Sequence, residues 1–565
     1  MLEELVVQGY RSVTKKSAVT SVATVDSKTI ENRPNANAVN TIQGQLAGVN
    51  IATGTGQPGA KSTVIIRGVG SITGTSDPLY VIDGFPTTSD NFRTINSNDI
   101  ESMTVLKDAA AVAEYGNRGS NGVIVVNTKQ GKLGEAKTSF RYSSQTGVGY
   151  LQKPKYEYSN AKQLLKIEQN FGAGIGAGLT DAEIAAWDVD TDWVDYFFRP
   201  TNTTSHNLSV ETSNSNFSSF TSLGYFDQDG ININGKSANN KFKYQVNTAF
   251  GYSKNNEATN LGSGAINRNY VTGAFLGAPY ISPDEWQGSA SAFDFYNNTP
   301  GLLATPIMLI DKLNTYENLT EESRFDVATN FSYEVLKDLT LRTRINGQLL
   351  ENRFFQAEFP NSFNALLFSN TPGVSSLDGG AFNGFEDINQ RREFYFNNLW
   401  QINYKKEIGR HSFNLNANME YNHSRLNTDN QRQRGLVDGI FIPNTTNDLY
   451  GPVHSASQLR NDLISYFGSV DYDFDKKYGV VASVRRDGTS RFIEDKQWGN
   501  FWSVGGRWNV DEETFMENVS FVNVLKLRAS YGTAGNQRIV AGTAFAGINP
   551  PAFADIYSVT NNTYN

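Results

Sequence analysis

From about residue 137 onward, apolar and polar positions alternate with a period of two. In KFKYQVNTAFGY, 241–252, Phe242, Tyr244, Val246, Thr248, Phe250 and Tyr252 share one face, opposite Lys241, Lys243, Gln245, Asn247, Ala249 and Gly251. HSFNLNANMEY, 411–421, sets Phe413, Leu415, Ala417, Met419 and Tyr421 against Ser412, Asn414, Asn416, Asn418 and Glu420. Strict alternation is the signature of a strand buried on one face. Further strands are expected at 137–150, 203–213, 216–226, 322–334, 336–349, 392–404, 463–475, 477–488, 501–512 and 525–533. They run about 9 to 14 residues, against about 5 or 6 for an ordinary soluble strand. A tilted strand that crosses a bilayer needs about 9 to 11.

The connections sharpen this picture. Turns at 214–215, near 335, at 405–410 and near 476 are short, whereas 151–202, 350–391 and 422–462 are long. Short turns on one side and long loops on the other is the pattern of an outer-membrane barrel. If the short turns share a side, an even number of strands separates 214–215 from 335. Only 216–226, 241–252 and 322–334 are readable there, so one more strand is expected within 253–321. Pro279 and Pro283 of GAPYISPDEW argue against a regular ladder at that spot.

Residues 1 to about 130 read differently. ANAVNTIQGQLAGV, 36–49, has helical spacing at Val39, Ile42 and Leu46 and stops near Gly48. Strands are expected at 49–53, 64–68, 79–84 and 122–129, and ESMTVLKDAAAVAEYG turns from strand into a short helix that ends at Gly116. GTGQPGAKS, 54–62, comes within one residue of a phosphate-binding loop, but Ala60 separates Gly59 from Lys61. The stretch also leads into TVIIRG, a strand, where a phosphate loop must lead into a helix. Pro58-Gly59 is therefore read as a turn.

Composition fits a barrel. The 565 residues include 35 Phe, 26 Tyr and 50 Gly, and only 19% are charged. Mean hydropathy is −0.43, and no run of 18 apolar residues would make a transmembrane helix. A membrane barrel is compatible with both, because its strands hide their apolar residues in alternation. A net charge of −8 gives no basic footprint for nucleic acid. Cysteine is absent, which removes disulfides and thiol catalysis. The four histidines show no HExxH spacing and no Ser-His-Asp set accompanies the carboxylates, so no enzyme and no cofactor are indicated. MLEELVVQGY shows no signal peptide, and SVTNNTYN stops on a polar stretch.

Asp188, Asp190 and Asp192 in DVDTDWVD match the first acidic positions of a calcium loop. Trp193 and Arg199 then replace the glycine and glutamate that an EF-hand requires. An irregular calcium site and a solvated acidic loop remain as readings of that stretch. Tyr150, Tyr156, Tyr158, Trp187, Trp193, Phe197 and Phe198 line an entrance for sugar or peptide on one reading, and form a membrane-interface girdle on another.

Taken in order, GQLAGVNI (44–51), GQPGAKSTVIIRGVGSI (56–72), DPLYVIDGFP (77–86), DIESMTVLKDAAAVAEYG (99–116) and GVIVVNTKQG (122–131) carry a resemblance. SYFGSVDYDFDKKYGVVASVRRDGTSRF (465–492), WGNFWSVGGRWNVDEE (498–513) and LKLRASYGTAGNQ (525–537) extend it. The chain resembles the SusC/RagA-like TonB-dependent outer-membrane transporters over essentially its whole length. The resemblance implies a 22-stranded antiparallel barrel, about half of it readable here, with an N-terminal mixed α/β plug inside the lumen. It implies residues 1–10 as a lead-in near the TonB-contacting region, 11–132 as plug and 137–565 as an incomplete barrel with long extracellular loops.

It further implies TonB-dependent import of a glycan or oligopeptide across the outer membrane of a Gram-negative, Bacteroidota-like cell. TonB, a SusD-like surface lipoprotein and outer-membrane lipid are the implied partners. A barrel acting as adhesin or passive pore is the competing class. Leu5, Val6 and Val7 suit either strand addition to a partner sheet or packing in the plug. Arg67 and Asp83 are expected to pair within the plug. Lys107, Asp108, Glu114 and Arg118 are expected to hold the plug to the wall, as a gate or as ordinary structure.

Overall fold

The computed structural model describes residues 5–8, 11–14, 19, 22–31, 33, 35, 37–53, 58–69, 76–93, 95–130, 135–152, 155, 157–215, 218–229, 236–244, 248–256, 270–299, 303–370, 384–434, 453–492, 497–517, 521–522, 524–535 and 556–561. The inner domain contains β1 (Leu5–Gln8), β2 (Arg11–Thr14), β3 (Val22–Asp26), β4 (Val49–Thr53), β5 (Ser62–Ile66), β6 (Leu79–Ile82), β7 (Phe85–Thr87), β8 (Ile100–Leu106) and β9 (Val123–Thr128). A five-stranded sheet runs β3-β8-β9-β6-β7, and β1–β2 and β4–β5 are separate hairpins. Asp83 and Gly84 both have positive φ, 50° and 89°, the requirement of a two-residue hairpin turn between β6 and β7. Ile30, Ile42, Tyr80, Phe92, Met103 and Ile124 are buried in its core.

Several expectations for this domain need adjustment. The stretch 36–49 is a 3-10 helix only over Ala38–Ile42, although Val39, Ile42 and Leu46 are all buried as the spacing implied. β4 and β5 pair antiparallel with Pro58-Gly59 in the connecting turn, where Gly59 has a φ of 74°. The near-phosphate loop thus joins two strands, as the sequence reading required.

The rest of the chain forms one antiparallel sheet in sequential order. It comprises β10 (Lys137–Gly149), β11 (Thr201–Ser213), β12 (Ser218–Asp229), β13 (Lys236–Tyr244), β14 (Thr248–Asn256), β15 (Tyr316–Leu336), β16 (Leu339–Glu358), β17 (Phe385–Ile408), β18 (His411–Arg434), β19 (Val453–Phe474), β20 (Tyr478–Thr489), β21 (Trp498–Asn509) and β22 (Lys526–Gly532). β23 (Ile556–Asn561) pairs with the distal end of β19.

The expected even strand count holds, but the extra strand is not where it was sought. The run 241–252 folds as two strands, with 242 paired to 250 and 244 to 248. Opposed positions of an antiparallel pair lie on the same face, so the alternation of the first strand stays in phase with that of the second. Residues 253–321, where the strand was sought, contain the end of β14, the start of β15 and, between them, helices Tyr270–Leu276, Ser289–Asn298 and Thr305–Thr315.

The two faces of the sheet differ sharply. Phe140, Tyr142, Phe331, Tyr333, Trp400, Val484 and Tyr531 are exposed on the outer face. Asn207, Glu322, Gln348, Asn397, Glu420 and Asp487 are buried on the inner face, against the inner domain. On β17 the main apolar outward stretch runs from Phe394 to Tyr404, interrupted by Asn398, with Ile388 and Ile408 set apart from it by polar positions. That is about 25 Å of height for a tilted strand, the height of a barrel's lipid belt. β15 to β19 are 21, 20, 24, 24 and 22 residues long, so about half of each strand continues beyond the belt.

On that distal side, helices from three connections pack into one layer. Ala161–Phe171, Asp181–Ala186 and Trp193–Phe197 follow β10; the three helices named above follow β14; Phe363–Asn370 follows β16. Leu165, Trp193, Phe197, Ile307, Leu309 and Phe363 form their shared core. Trp193 donates its indole N–H to the Ala278 carbonyl at 2.9 Å. Asp311 accepts from the Phe363 amide at 2.7 Å and from the Trp286 indole at 3.1 Å, tying two of the connections together.

Candidate functional site

The inner domain meets the wall through a buried ionic cluster. Its own contribution is the 3-10 segment Ala113–Arg118, in which Gly116 takes a φ of 56° that L side chains rarely adopt. A Cβ at Gly116 would lie 2.1 Å from Asp487 Oδ2 and 2.7 Å from Arg485 Nε, so only glycine brings this backbone against the wall. Arg118 Nη2 donates to Glu420 Oε2 at 2.9 Å, and Arg485 Nη2 donates to the same oxygen at 3.0 Å. Arg485 also donates from Nε to Asp487 Oδ1 at 2.6 Å and from Nη1 to the Glu114 carbonyl at 2.8 Å. Asp487 Oδ2 accepts the Asn117 amide at 2.9 Å, and Glu420 Oε1 accepts from Asn397 at 3.0 Å.

Solvent reaches almost none of this, for Glu420 and Asp487 are fully buried and Arg485 is 1% exposed. Two guanidiniums balance two carboxylates, and each charge has several hydrogen bonds, the condition under which buried ions are tolerated. Leu399 and Phe467 of the wall pack with Leu106, Val112 and Tyr115 beside the cluster, which keeps water away from it. Removing any one member strands an opposite charge in this dry setting.

Other ties surround the domain. Arg93 pairs with Glu322 of β15 and donates to the Gly59 carbonyl at 3.0 Å. Asn96 donates to Asn207 of β11 at 2.9 Å, and Thr87 to Gln348 of β16 at 3.3 Å. Glu31 pairs with Arg141 of β10 at 2.6 Å.

The residues singled out in the sequence fall into distinct places. Leu5, Val6 and Val7 lie in β1, opposite Thr14, Val13 and Ser12 of β2. Arg67 and Asp83 do not make the expected pair. Arg67 instead reaches Asp108 at 2.6 Å, while Asp83 accepts from the amide and hydroxyl of Thr128 at 2.8 and 2.6 Å. The turn geometry explains the change, because Asp83 is held against the end of β9. Lys107 donates to the Ala47 carbonyl inside the domain. Burial, with Arg67 beside it, holds the Lys107 ammonium below the usual lysine value against an opposing pull from Asp108. Glu114 and Arg118 do meet the wall, Glu114 through its backbone.

The wall partners Glu420, Arg485 and Asp487 were not singled out as functional. A signal existed, for Glu420 is the one acid on the inward face of 411–421, and Arg485 and Asp487 alternate with apolar Val484 and Ala482. Asp190 accepts the Ala161 amide at 2.8 Å, and Asp192 caps Trp193–Phe197 by accepting from Val194 and Asp195 at 3.0 Å each. Among the described residues no three His, Cys, Asp or Glu side chains gather in a metal-binding group. Trp193, Phe197 and Phe198 are buried in the helical layer, serving neither as an entrance lining nor as a girdle. An aromatic string of the girdle type lies instead at the short-turn end of the sheet, where Phe413, Tyr472, His411, Phe474, Tyr478 and Trp508 follow one another with ring centroids 5.0 to 6.4 Å apart.

Comparison with known proteins agrees with this geometry. Residues 14–123 match the TonB-dependent Receptor Plug Domain. The chain is 30% identical over its whole length to TonB-dependent receptor SusC of Bacteroides thetaiotaomicron, covering 56% of that protein. It is also 30% identical to TonB-dependent receptor P39 of Formosa agariphila, over 98% of this chain and 51% of the relative. The chain thus spans about half the length of the curated relatives it matches. Among solved structures, the RagAB peptide importer in the open-open state aligns with a TM-score of 0.77 at 24% identity, over 100% of this chain and 65% of that one. The fold is accordingly that of a plug within a β-barrel.

Proposed function

The chain is a SusC/RagA-like TonB-dependent receptor sequence and not an enzyme, and from that premise we propose that its protein imports a nutrient across the outer membrane. The class of cargo is a glycan or an oligopeptide. TonB supplies the energy through the lead-in at residues 1–10, the plug is the gate, and a SusD-like lipoprotein covers the outer mouth. The observation that carries this reading is the buried cluster of Arg118, Glu420, Arg485 and Asp487. Such a cluster holds the plug firmly against thermal opening, because parting it exposes unpaired charge. It yields to a pull that brings water in with it. The distal helical layer is the surface on which a lipoprotein cover would rest.

The test uses cells that carry the full-length protein and mixtures of labelled oligosaccharides and oligopeptides. Accumulation that stops when residues 2–8 are deleted, or when the proton gradient is dissipated, supports energised import. Accumulation indifferent to both treatments would make the barrel a passive pore.

A further inference from the structure

Arginines lie in the distal margin of the outer apolar belt on five successive strands, and on β18, β19 and β20 they stand at its edge. The apolar outward run ends at Tyr421 on β18, Ile464 on β19 and Val484 on β20; on β16 and β17 it breaks after Leu349 and Phe394, with the opposed pair Phe355 and Ile388 apolar again farther out. Within two outward positions of each end or break comes Arg353, Arg392, Arg425, Arg460 or Arg486. From β18 to β20 the belt edge follows the tilt of the strands, and Arg425, Arg460 and Arg486 follow it.

Carboxylates answer only part of this charge. Arg353 pairs with Glu321 at 3.1 Å, Arg392 with Glu351 at 2.7 Å, and Arg460 with Asp462 at 3.1 Å. Asp462 also holds His423 at 2.8 Å, and Asp429 holds His454 at 2.9 Å. Among the described residues Arg425 has no carboxylate partner, and Arg486 lies over the Trp498 ring at 4.9 Å. Arg425 and Arg460 stand directly opposite on neighbouring strands, and like charges so placed repel unless an anion lies between them. Their guanidiniums are exposed and planar, the geometry that grips a phosphate by two parallel hydrogen bonds. Adjoining the arc is an outward groove of about 680 Å³, bordered by Arg353, Arg392, Asn427 and Gln458 together with the carboxylates Glu321, Glu351 and Asp429. Its polar walls suit sugar hydroxyls.

We propose that this arc holds the phosphate-bearing headgroup of an anionic glycolipid in the leaflet on the long-loop side, with the headgroup sugars in the groove. The location decides between occupants. A phosphate one or two residues above a lipid belt is at headgroup level, where basic side chains gain from anionic lipid.

This inference rests on the outer belt lying in a bilayer, as the proposed import function requires. The full-length protein and its R425Q/R460Q/R486Q variant are extracted from outer membranes, and glycolipid retained per barrel is measured by mass spectrometry. The variant should retain about tenfold less, and the corresponding triple lysine variant should recover part of the loss. Reconstitution with dephosphorylated glycolipid should abolish the difference between wild type and glutamine variant. Equal retention by wild type and glutamine variant, both inserted and heat-modifiable on gels, would overturn the site while leaving the barrel reading intact. Failure of both proteins to fractionate with membranes would instead overturn the bilayer reading and this site with it. Loss of a bound protein without loss of glycolipid would also overturn the proposal.

Discussion

The inner domain and the distal helical layer are both small folded units attached to one sheet, yet their cores are assembled in opposite ways. The inner domain gathers Val25, Ile42, Tyr80, Met103 and Ile124 from one continuous stretch of chain. The helical layer borrows Leu165 and Trp193 from one connection, Tyr270 and Leu309 from a second, and Phe363 from a third. A unit built from one stretch can part from the wall as a body once its ionic ties are broken. A unit built from three insertions is stitched to the rim at every point of departure and cannot leave without unfolding. The first is suited to movement and the second to support.

The largest effect that separates them is on conductance. Removing residues 1–130 from the full-length protein should turn a closed barrel into an open one, seen as large steady currents in planar bilayers. Removing 161–198 should leave the current low. Equal currents from both deletions would erase the distinction. Unchanged low conductance after the first, in a folded barrel, would sink the placement of the plug.

Single substitutions sharpen it next. Glu420→Ala leaves Arg118 and Arg485 facing each other in a dry site, a cost of about 3–5 kcal/mol. Hydrogen exchange should accelerate at 111–118 and stay constant at 161–198. Trp193→Ala removes a fully buried ring at a similar cost of about 3–5 kcal/mol. It should instead open 161–198 and 270–315 to protease together, with 111–118 unaffected. Cleavage confined to 161–198 would show that the three insertions do not share one core.

A smaller change concerns the acidic stretch. Asp192→Ala removes the cap of Trp193–Phe197 and should cost about 1 kcal/mol, read as a modest rise in local exchange. The rise should be the same with or without added calcium. Protection of the wild type by calcium alone would restore an ion site there.

The smallest effect is on pH. Hydrogen bonds from the Thr180 amide and hydroxyl lower the Glu183 carboxyl below its usual value. Its contribution is full above the unfolded carboxylate value and fades as pH falls through the lower folded value. Exchange at 181–186 should therefore rise on acidification, and Glu183→Gln should flatten that rise. An unchanged acid response in the variant would assign it to another group.

The sequence disclosed the half of each long strand that lies in the apolar belt and concealed the other half. On β18, Phe413 to Tyr421 alternate against Ser412 to Glu420, and this span was legible. From His423 to Gln433 the outward residues are as polar as the inward ones, so the hydrophobic period vanishes while the hydrogen-bond ladder continues to Arg434. The strand pair 236–244 and 248–256 was hidden for the converse reason, since its register keeps the hydrophobic periods of the two strands in phase. At the ionic cluster, Glu114 and Arg118 stood out in a short glycine-bounded segment. Glu420, Arg485 and Asp487 did not, because a charge on a wet-looking face resembles ordinary solvation until something is known to press on it. The aromatics of 187–198 were visible but ambiguous, since their partners lie near residues 270–310.

The hairpin of β1 and β2 has a mechanical consequence. Leu5 and Thr14 sit side by side at its open end, followed by the pairs Val6–Val13, Val7–Ser12 and Gln8–Arg11. Tension between residue 5 and the chain beyond residue 14 acts on one rung at a time, as on a zipper, and never loads all four together. Each rung therefore gives way at low force, and the ten residues drawn straight let out about 30 Å of slack. Only then does the line tighten on β3, which lies at the edge of the five-stranded sheet. A brief tug would be absorbed by the slack, and only a sustained haul would reach the five-stranded sheet.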